Sequence, residues 1–471
     1  MMGSIYAQRY HAIVANPPYT VPGAEAKAAY RARYESAHGN FGMGLPFTER
    51  MFELAVDGGF IGQITSNAFM KREHGKALVE TVLPRFDLTS VIDTSGAYIP
   101  GHGTPTVILF ARNRPPSSDT VRVVMSRRGE PETPLGAKTP AGGLVKPLKP
   151  ILAALDADIK REHPALDKEM RARVAAAWVL TACMAEDFEA RVKVYERRSF
   201  GDAHLTDLCG AITELFPFAR WFHADAGANV GFLAVPSRAG SDRLRASIAA
   251  LPSKAHEVRD GCGELAGKLW PHTDSQWIGD LHQLLDAWAV KEHAFCQTPR
   301  FVADFILDHT LTPAVAEFGL DGLRVLDPAC GAGHLLVNAF WRLYGLRADP
   351  EDGGPEHTYP TCARLALDSI HGGDLNPAVV ALTQWRLALA YLDATTPRTL
   401  ASVPDDLPIH IEVGDALLAE RPAGHRPPAW VTAPAKRAPI AAPVEAPAVA
   451  QPKPAPVRAQ PAQLSLFGRS A

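Results

Sequence analysis

The sequence predicts an α/β fold built on a largely parallel sheet, and three observations predict it. Short apolar runs alternate with helical periodicity over residues 1–128 and again over 271–420. A glycine turn, Gly331-Ala332-Gly333, separates a strand from a helix. Three carboxylates, Asp327, Asp374 and Asp415, stand at the ends of three successive expected strands.

In chain order, Ala12-Ile13-Val14-Ala15 reads as a buried strand that stops at Asn16-Pro17-Pro18-Tyr19. The prolines remove two backbone donors and hold the chain open. The Asn16 amide oxygen and the Pro17 carbonyl can then face a ligand as acceptors, which suits an amino group. Tyr19 offers a flat face on which an unstacked base can lie. An ordinary Asn-Pro turn is the plain alternative.

Leu45 to Val56 repeats apolar residues at helical spacing and is broken by Gly58-Gly59. Phe60 to Thr65 is a short strand, after which Asn67 is placed to cap a helix carrying Lys71, Arg72 and Lys76. Leu88 to Asp93 and Thr106 to Ala111 read as two further strands. Pro131 to Pro150 has the composition of a linker. Pro164 to Arg198 is helical in character, and Phe216 to Pro236 alternates aromatic and small residues as strands do.

Gln297-Thr298-Pro299 opens a helix, with Pro299 suited to its first turn. Arg324-Val325-Leu326 is a strand, followed by Asp327-Pro328-Ala329-Cys330-Gly331-Ala332-Gly333 and a helix from His334. Such a turn lets backbone amides approach a ligand closely. A dinucleotide site is the rival, but it calls for a third glycine where Leu336 stands. Ile370 to Gly373 ends at Asp374, where sheets of this kind hold a ribose diol, and Ile409 to Val413 leads to Asp415, well placed for an exocyclic amine.

Composition sets outer limits. Of the 471 residues 46% are hydrophobic and 21% charged, as in globular proteins, and the formal charge of -3 argues against a surface coated in positive potential. The six cysteines lack paired metal spacing, so no metal site is expected. With no apolar run long enough to cross a membrane, reduced thiols in the cytoplasm are the expectation.

Asp-Pro-Ala-Cys-Gly-x-Gly together with Asn-Pro-Pro-Tyr resembles the amino-group DNA methyltransferases, and Gln297-Thr298-Pro299 is similar to their amino-terminal cofactor motif. Longer stretches resemble the PglX-type adenine methyltransferases of BREX phage-defence systems: His11 to Tyr19, Ser66 to Glu73, Asp93 to Thr106, Trp277 to Leu281 and Gln297 to Leu336. The resemblance implies a Rossmann-like, S-adenosyl-L-methionine-dependent site-specific DNA methyltransferase acting on the N6 amine of a flipped adenine in double-stranded DNA. It implies Asn16, Pro17, Pro18 and Tyr19 as catalytic residues. It implies Thr298, Pro299, Asp327, Ala329, Gly331, Gly333, Asp374 and Asp415 around the cofactor.

The order of parts departs from the PglX pattern and is similar to the permuted amino methyltransferases, with the catalytic half first. On that pattern 1–128 is the catalytic half, 129–270 a linker and helical or mixed target-recognition region, and 271–420 the cofactor half. The Pro/Ala-rich 421–471 is expected to be disordered. If the halves make one domain, the Asn16 strand lies beside the Arg324 to Asp327 strand in one parallel sheet, both opening on one edge; one sheet is the expectation.

The tail ends in Gln463-Leu464-Ser465-Leu466-Phe467, which looks like the pentapeptide that docks bacterial proteins on the replicative sliding clamp. Other defence-system proteins are further expected partners. Two other readings of function stand beside the first: a protein glutamine methyltransferase, and a non-catalytic relative that binds DNA or the clamp.

Overall fold

A buried strand, β1 (Tyr10–Ala15), sits near the middle of an eight-stranded sheet in the computed structural model. The structure describes residues 4–96, 104–125, 140–196, 203–216, 218–250, 275–292, 296–348, 357–395, 403–422 and 431. Ala12, Ile13, Val14 and Ala15 are all fully buried. Side chains alternate faces along a strand, so Ala12 and Val14 enter one apolar cluster while Ile13 and Ala15 enter another. A continuous apolar run is what a strand covered on both faces requires.

The remaining strands are β2 (Ala55–Ser66), β3 (Asp87–Asp93), β4 (Thr106–Arg112), β5 (Arg122–Met125), β6 (Val325–Asp327), β7 (Ile370–Asp374) and β8 (His410–Val413). Their order across the sheet is β5-β3-β4-β2-β1-β6-β7-β8. β1 is parallel to β2 on one side and to β6 on the other, with Ala12 opposite Val325 and Ile13 opposite Leu326. The two sequence halves therefore share one sheet, as expected. β6, β7 and β8 continue in parallel, so the ends that carry Asn16, Asp327, Asp374 and Asp415 open on one edge.

Several local expectations give way to the tertiary arrangement. β4 runs antiparallel to both β2 and β3, so the sheet is mostly rather than wholly parallel. Gly58-Gly59 does not break the chain but lies inside β2. There the pairing skips from Tyr10–Ala55 to Ala12–Phe60, and Asn113 bonds both glycines. Asn67 caps no long helix: Ser66 accepts from the Ala68 amide, short turns follow, and Asn67 is buried beside Asp93 at 3.5 Å. Within Pro131 to Pro150, residues 131–139 lie outside the described residues, whereas a helix begins at Pro140.

One face of the sheet carries α1 (Ala24–Arg33), α2 (Gly44–Leu54) and the segment around Leu78 to Phe86. On the opposite face lie α3 (Pro140–Glu162), α4 (Lys168–Glu196), α5 (Leu205–Leu215), α6 (Arg238–Ala249) and α7 (Gln276–Leu285), and, after the short α8 (Ala287–Glu292), α9 (Arg300–Phe318). They are joined there by α10 (His334–Ala348), α11 (Tyr359–Asp368) and α12 (Pro377–Ala394). Among the described residues no helix is long and apolar enough to cross a membrane.

The middle region packs into the same core as the sheet. Trp385 of α12 meets Phe188 of α4 at 5.3 Å between ring centroids, Phe216 at 5.3 Å and Phe222 at 5.0 Å. Arg191 of α4, fully buried, pairs with Asp187 and with Asp393 of α12. A buried cation without such partners would be strongly destabilising. The aromatic rhythm of Phe216 to Pro236, expected as strands, folds instead into short 3-10 turns. Its rings are spent on helix contacts, and its Ala234 and Gly231 carbonyls receive the Trp178 indole N–H.

Candidate functional site

β1 ends where Asn16 crosses to the other half of the chain. The Cys296 carbonyl can only accept, so the Asn16 amide nitrogen faces it, at 3.4 Å, and also donates to the Thr298 hydroxyl at 3.1 Å. The Asn16 amide oxygen then accepts from the Tyr19 hydroxyl at 2.6 Å. Burial holds the Tyr19 phenol well above its usual range, which keeps it a neutral donor. Asn16 and Pro18 line a cleft; Pro17 is buried, and Tyr19 braces Asn16. Thr298 is buried, and Pro299 takes the position just before α9 rather than its first turn.

The opposite wall is the turn after β6. Gly331 and Gly333 adopt φ of 52° and 79°, the left-handed region that side chains other than glycine resist. A Cβ on Gly333 would come within 2.8 Å of the Thr383 methyl group. The Thr383 hydroxyl donates to the Gly331 carbonyl at 2.8 Å. Arg386, buried beneath, reaches the Ala332 carbonyl and the Ser275 hydroxyl.

Asp374 holds this turn directly. Its carboxylate accepts from the Gly331 amide at 3.0 Å and from the Asn376 amide at 2.9 Å. Asp327 is buried at the tip of β6, with the Ala329 amide donating to it at 3.0 Å. Burial, reinforced by the negative charge of Asp374, pushes its carboxyl up to about 8 against that hydrogen bond. Burial and the neighbouring Asp374 and Asp327 likewise hold the Cys330 thiol well above its usual range.

Asp415 follows β8 and caps the turn beyond it, accepting from the Leu417 and Leu418 amides at 2.9 and 3.2 Å. It also accepts from the Tyr30 hydroxyl of α1 at 2.9 Å. The proximity of Asp415 adds to burial in raising the Tyr30 phenol. Sequence reasoning missed this crossing and its companions. Tyr34 donates to the Leu417 carbonyl at 2.6 Å, and buried Arg50 reaches the carbonyls of Ala416 and Glu420 at 3.0 and 2.7 Å. No local signal marks them, because their partners stand some 366 to 385 positions away.

Asn16, Thr298, Asp327, Ala329, Gly331, Asp374 and Asp415 thus share one cleft, with Tyr30, Met43 and Phe47 from the α1–α2 side. Gly333 does not line it; its amide donates to the Cys330 carbonyl at 2.8 Å within the turn. Among the described residues lining the cleft there are four carboxyl side chains (Asp327, Asp374, Asp415 and Glu292) and no lysine or arginine. Such a lining favours a ligand of net positive charge and disfavours a pyrophosphate. Among the described residues no group of three or more His, Cys, Asp or Glu is arranged to hold a metal.

Residues 5–99 match the Eco57I restriction-modification methylase family. The chain is 43% identical to the adenine-specific methyltransferase PglX of Streptomyces coelicolor over 145 residues, 31% of this chain and 12% of that protein. It is 30% identical to the type II methyltransferase M.PaeR7I of Pseudomonas aeruginosa over 106 residues, 21% of this chain and 18% of that one. Similarity to the type II methyltransferase M.XhoI of Xanthomonas vasicola is 30% over 112 residues, 22% of this chain and 20% of the relative. The chain therefore spans a fifth or less of the length of these curated relatives. The resemblance read from the sequence is borne out: the chain carries an Eco57I-type methylase segment and is similar to adenine-specific and type II methyltransferases.

Proposed function

We propose that this chain transfers a methyl group from S-adenosyl-L-methionine to the N6 amine of an adenine turned out of double-stranded DNA. The observation that carries the reading is Asn16 anchored to Thr298 on the rim of a cleft lined by carboxylates and by no lysine or arginine among the described residues. The cofactor is a net cation with a ribose diol, and this donor set fits it: Asp327 for the positive end, Asp374 and Asp415 for hydroxyl and amine donors. When bound it supplies an electrophilic methyl group.

The chain's own residues do the rest by positioning. Thr298 and the Cys296 carbonyl orient the Asn16 amide. Asn16 Oδ1 and the Pro17 carbonyl accept the two hydrogens of the target amine, free its lone pair from conjugation and stabilise the charge that grows on nitrogen. Tyr19, which already bonds Asn16, flanks the extruded ring. The carboxylate of Asp374 holds the Gly331 turn in place while this happens.

The order of parts fits a permuted methyltransferase in which 129–270 recognises the target sequence. A role in phage defence rests on the PglX-type resemblance read from the sequence. Docking on a sliding clamp rests on Gln463 to Phe467, which lie outside the described residues. The deciding experiment is transfer of labelled methyl from S-adenosylmethionine to DNA, run beside a release-factor protein and a blank. Label in DNA alone is expected. Label in the protein substrate, or in neither, overturns the reading.

A further inference from the structure

The formal charge of the chain is -3 and its cleft is acidic, so a polyanion needs a cationic landing next to the cleft rather than over the whole surface. Such a landing is assembled from α1, the loop 38–41 and the turns after β2. Lys27 and Arg31 project from α1 onto the loop 38–41, where Lys27 Nζ donates to the Asn40 side chain at 2.6 Å and Arg31 to the Gly39 carbonyl at 2.5 Å. The far side of that loop meets the turns after β2, with His74 lying 3.6 Å from where a Gly39 Cβ would stand. Lys71, Arg72 and Lys76 flank His74 and are exposed.

The same loop runs straight into the cleft. The Met43 amide donates to the Thr20 carbonyl at 2.9 Å, and both residues line the cleft beside Asn16. Acidic residues are present but fewer: Glu25, Glu73 and Glu80 lie in these segments, and Glu35 is taken by Arg85 at 2.8 Å. Among the described residues, Lys27, Arg31, Lys71, Arg72 and Lys76 have no carboxylate within 4 Å.

We propose that Lys27, Arg31, Lys71 and Arg72 form the track for the phosphate backbone of duplex DNA, on the α1–α2 face of the cleft rather than on the middle region. This rests on the function proposed above and adds to it the surface that brings the strand to Asn16. The cations neutralise phosphates without reading sequence, and the loop 38–43 joins that track to the cleft mouth.

The test is fluorescence anisotropy of the full chain on a short duplex across a salt series, with cofactor binding measured alongside. The double variant Lys71→Ala with Arg72→Ala is expected to make the negative slope of log affinity against log salt shallower by roughly 1.8, about 0.9 for each phosphate no longer neutralised, with S-adenosylmethionine affinity unchanged. Lys168→Ala, an exposed cation of the middle region, should leave the slope alone. A double variant with unchanged slope and affinity overturns the proposal, as does a slope that moves with Lys168 instead, or a wild-type chain that does not bind duplex. Patch-dependent binding without any methyl transfer upholds the track and removes the proposed activity.

Discussion

The Asn16 side-chain amide donates to the Thr298 hydroxyl at 3.1 Å, joining residues 282 positions apart in the chain. That hydrogen bond makes the site an interface between the two halves of the sheet. It also fixes which atom of Asn16 is left to accept.

Asn16→Ala removes the acceptor without touching the glycine turn. Turnover on DNA should fall about a hundredfold or more, while S-adenosylmethionine affinity stays near that of the parent. Thr298→Val should give a milder loss, since it removes the orienting partner alone, about 0.5–1.5 kcal/mol. Single-turnover methylation with calorimetric cofactor titration checks both; an Asn16 variant with near-normal turnover sinks the mechanism.

Asp374→Ala strips the Gly331 and Asn376 amides of their acceptor and takes a carboxylate from the cleft. Cofactor binding should weaken by about 1.5–3 kcal/mol, the range for hydrogen bonds to a charged group. Calorimetry giving an unchanged affinity would remove Asp374 from the site.

On the proposed function, cofactor binding should depend on pH through Asp327. Its carboxyl, raised to about 8 by burial and by Asp374, is largely protonated at pH 6 to 7. A cationic ligand prefers the carboxylate, so binding below pH 8 must release a proton. Affinity should therefore rise from pH 6 to 8 and level off above it, and heats of binding should vary with the ionisation enthalpy of the buffer. Asp327→Asn should flatten that profile; a profile equally steep in the variant would assign the proton elsewhere.

His371 is expected to limit stability in acid. Its ring stacks on His410 at 4.6 Å and meets Tyr10 edge-on at 5.1 Å. Burial, and then the proximity of His410, lower it from 6.5 to about 3. The folded protein thus resists a proton that the unfolded chain accepts below about pH 6.5. The stabilisation is complete above that pH and is lost progressively down to pH 3. Thermal melts should show a falling midpoint over this window, and His371→Phe should make the fall shallower.

What could be read from the sequence is what local chemistry demands. A carbonyl-rich tip needs prolines, so Asn16-Pro17-Pro18 announces itself; a left-handed turn needs glycine, so Gly331 and Gly333 do too. A strand covered on both faces is apolar throughout, which made Ala12 to Ala15 legible. The acids that end β6 and β7 and follow β8 were legible from their places at the tips of three successive expected strands.

Strand partners leave no such trace, because pairing is decided by what packs across the sheet. That β1 lies between β2 and β6, and that β4 runs against its neighbours, was settled only when two apolar faces were covered at once. Tyr30 on Asp415 and Arg50 on the Ala416 carbonyl are invisible for the same reason, since each partner comes from the far end of the chain. Phe216 to Pro236 misled because alternating aromatics suit a strand by period. Their rings had a stronger claim on them in Trp385 of α12, and burial against it chose turns over extended chain.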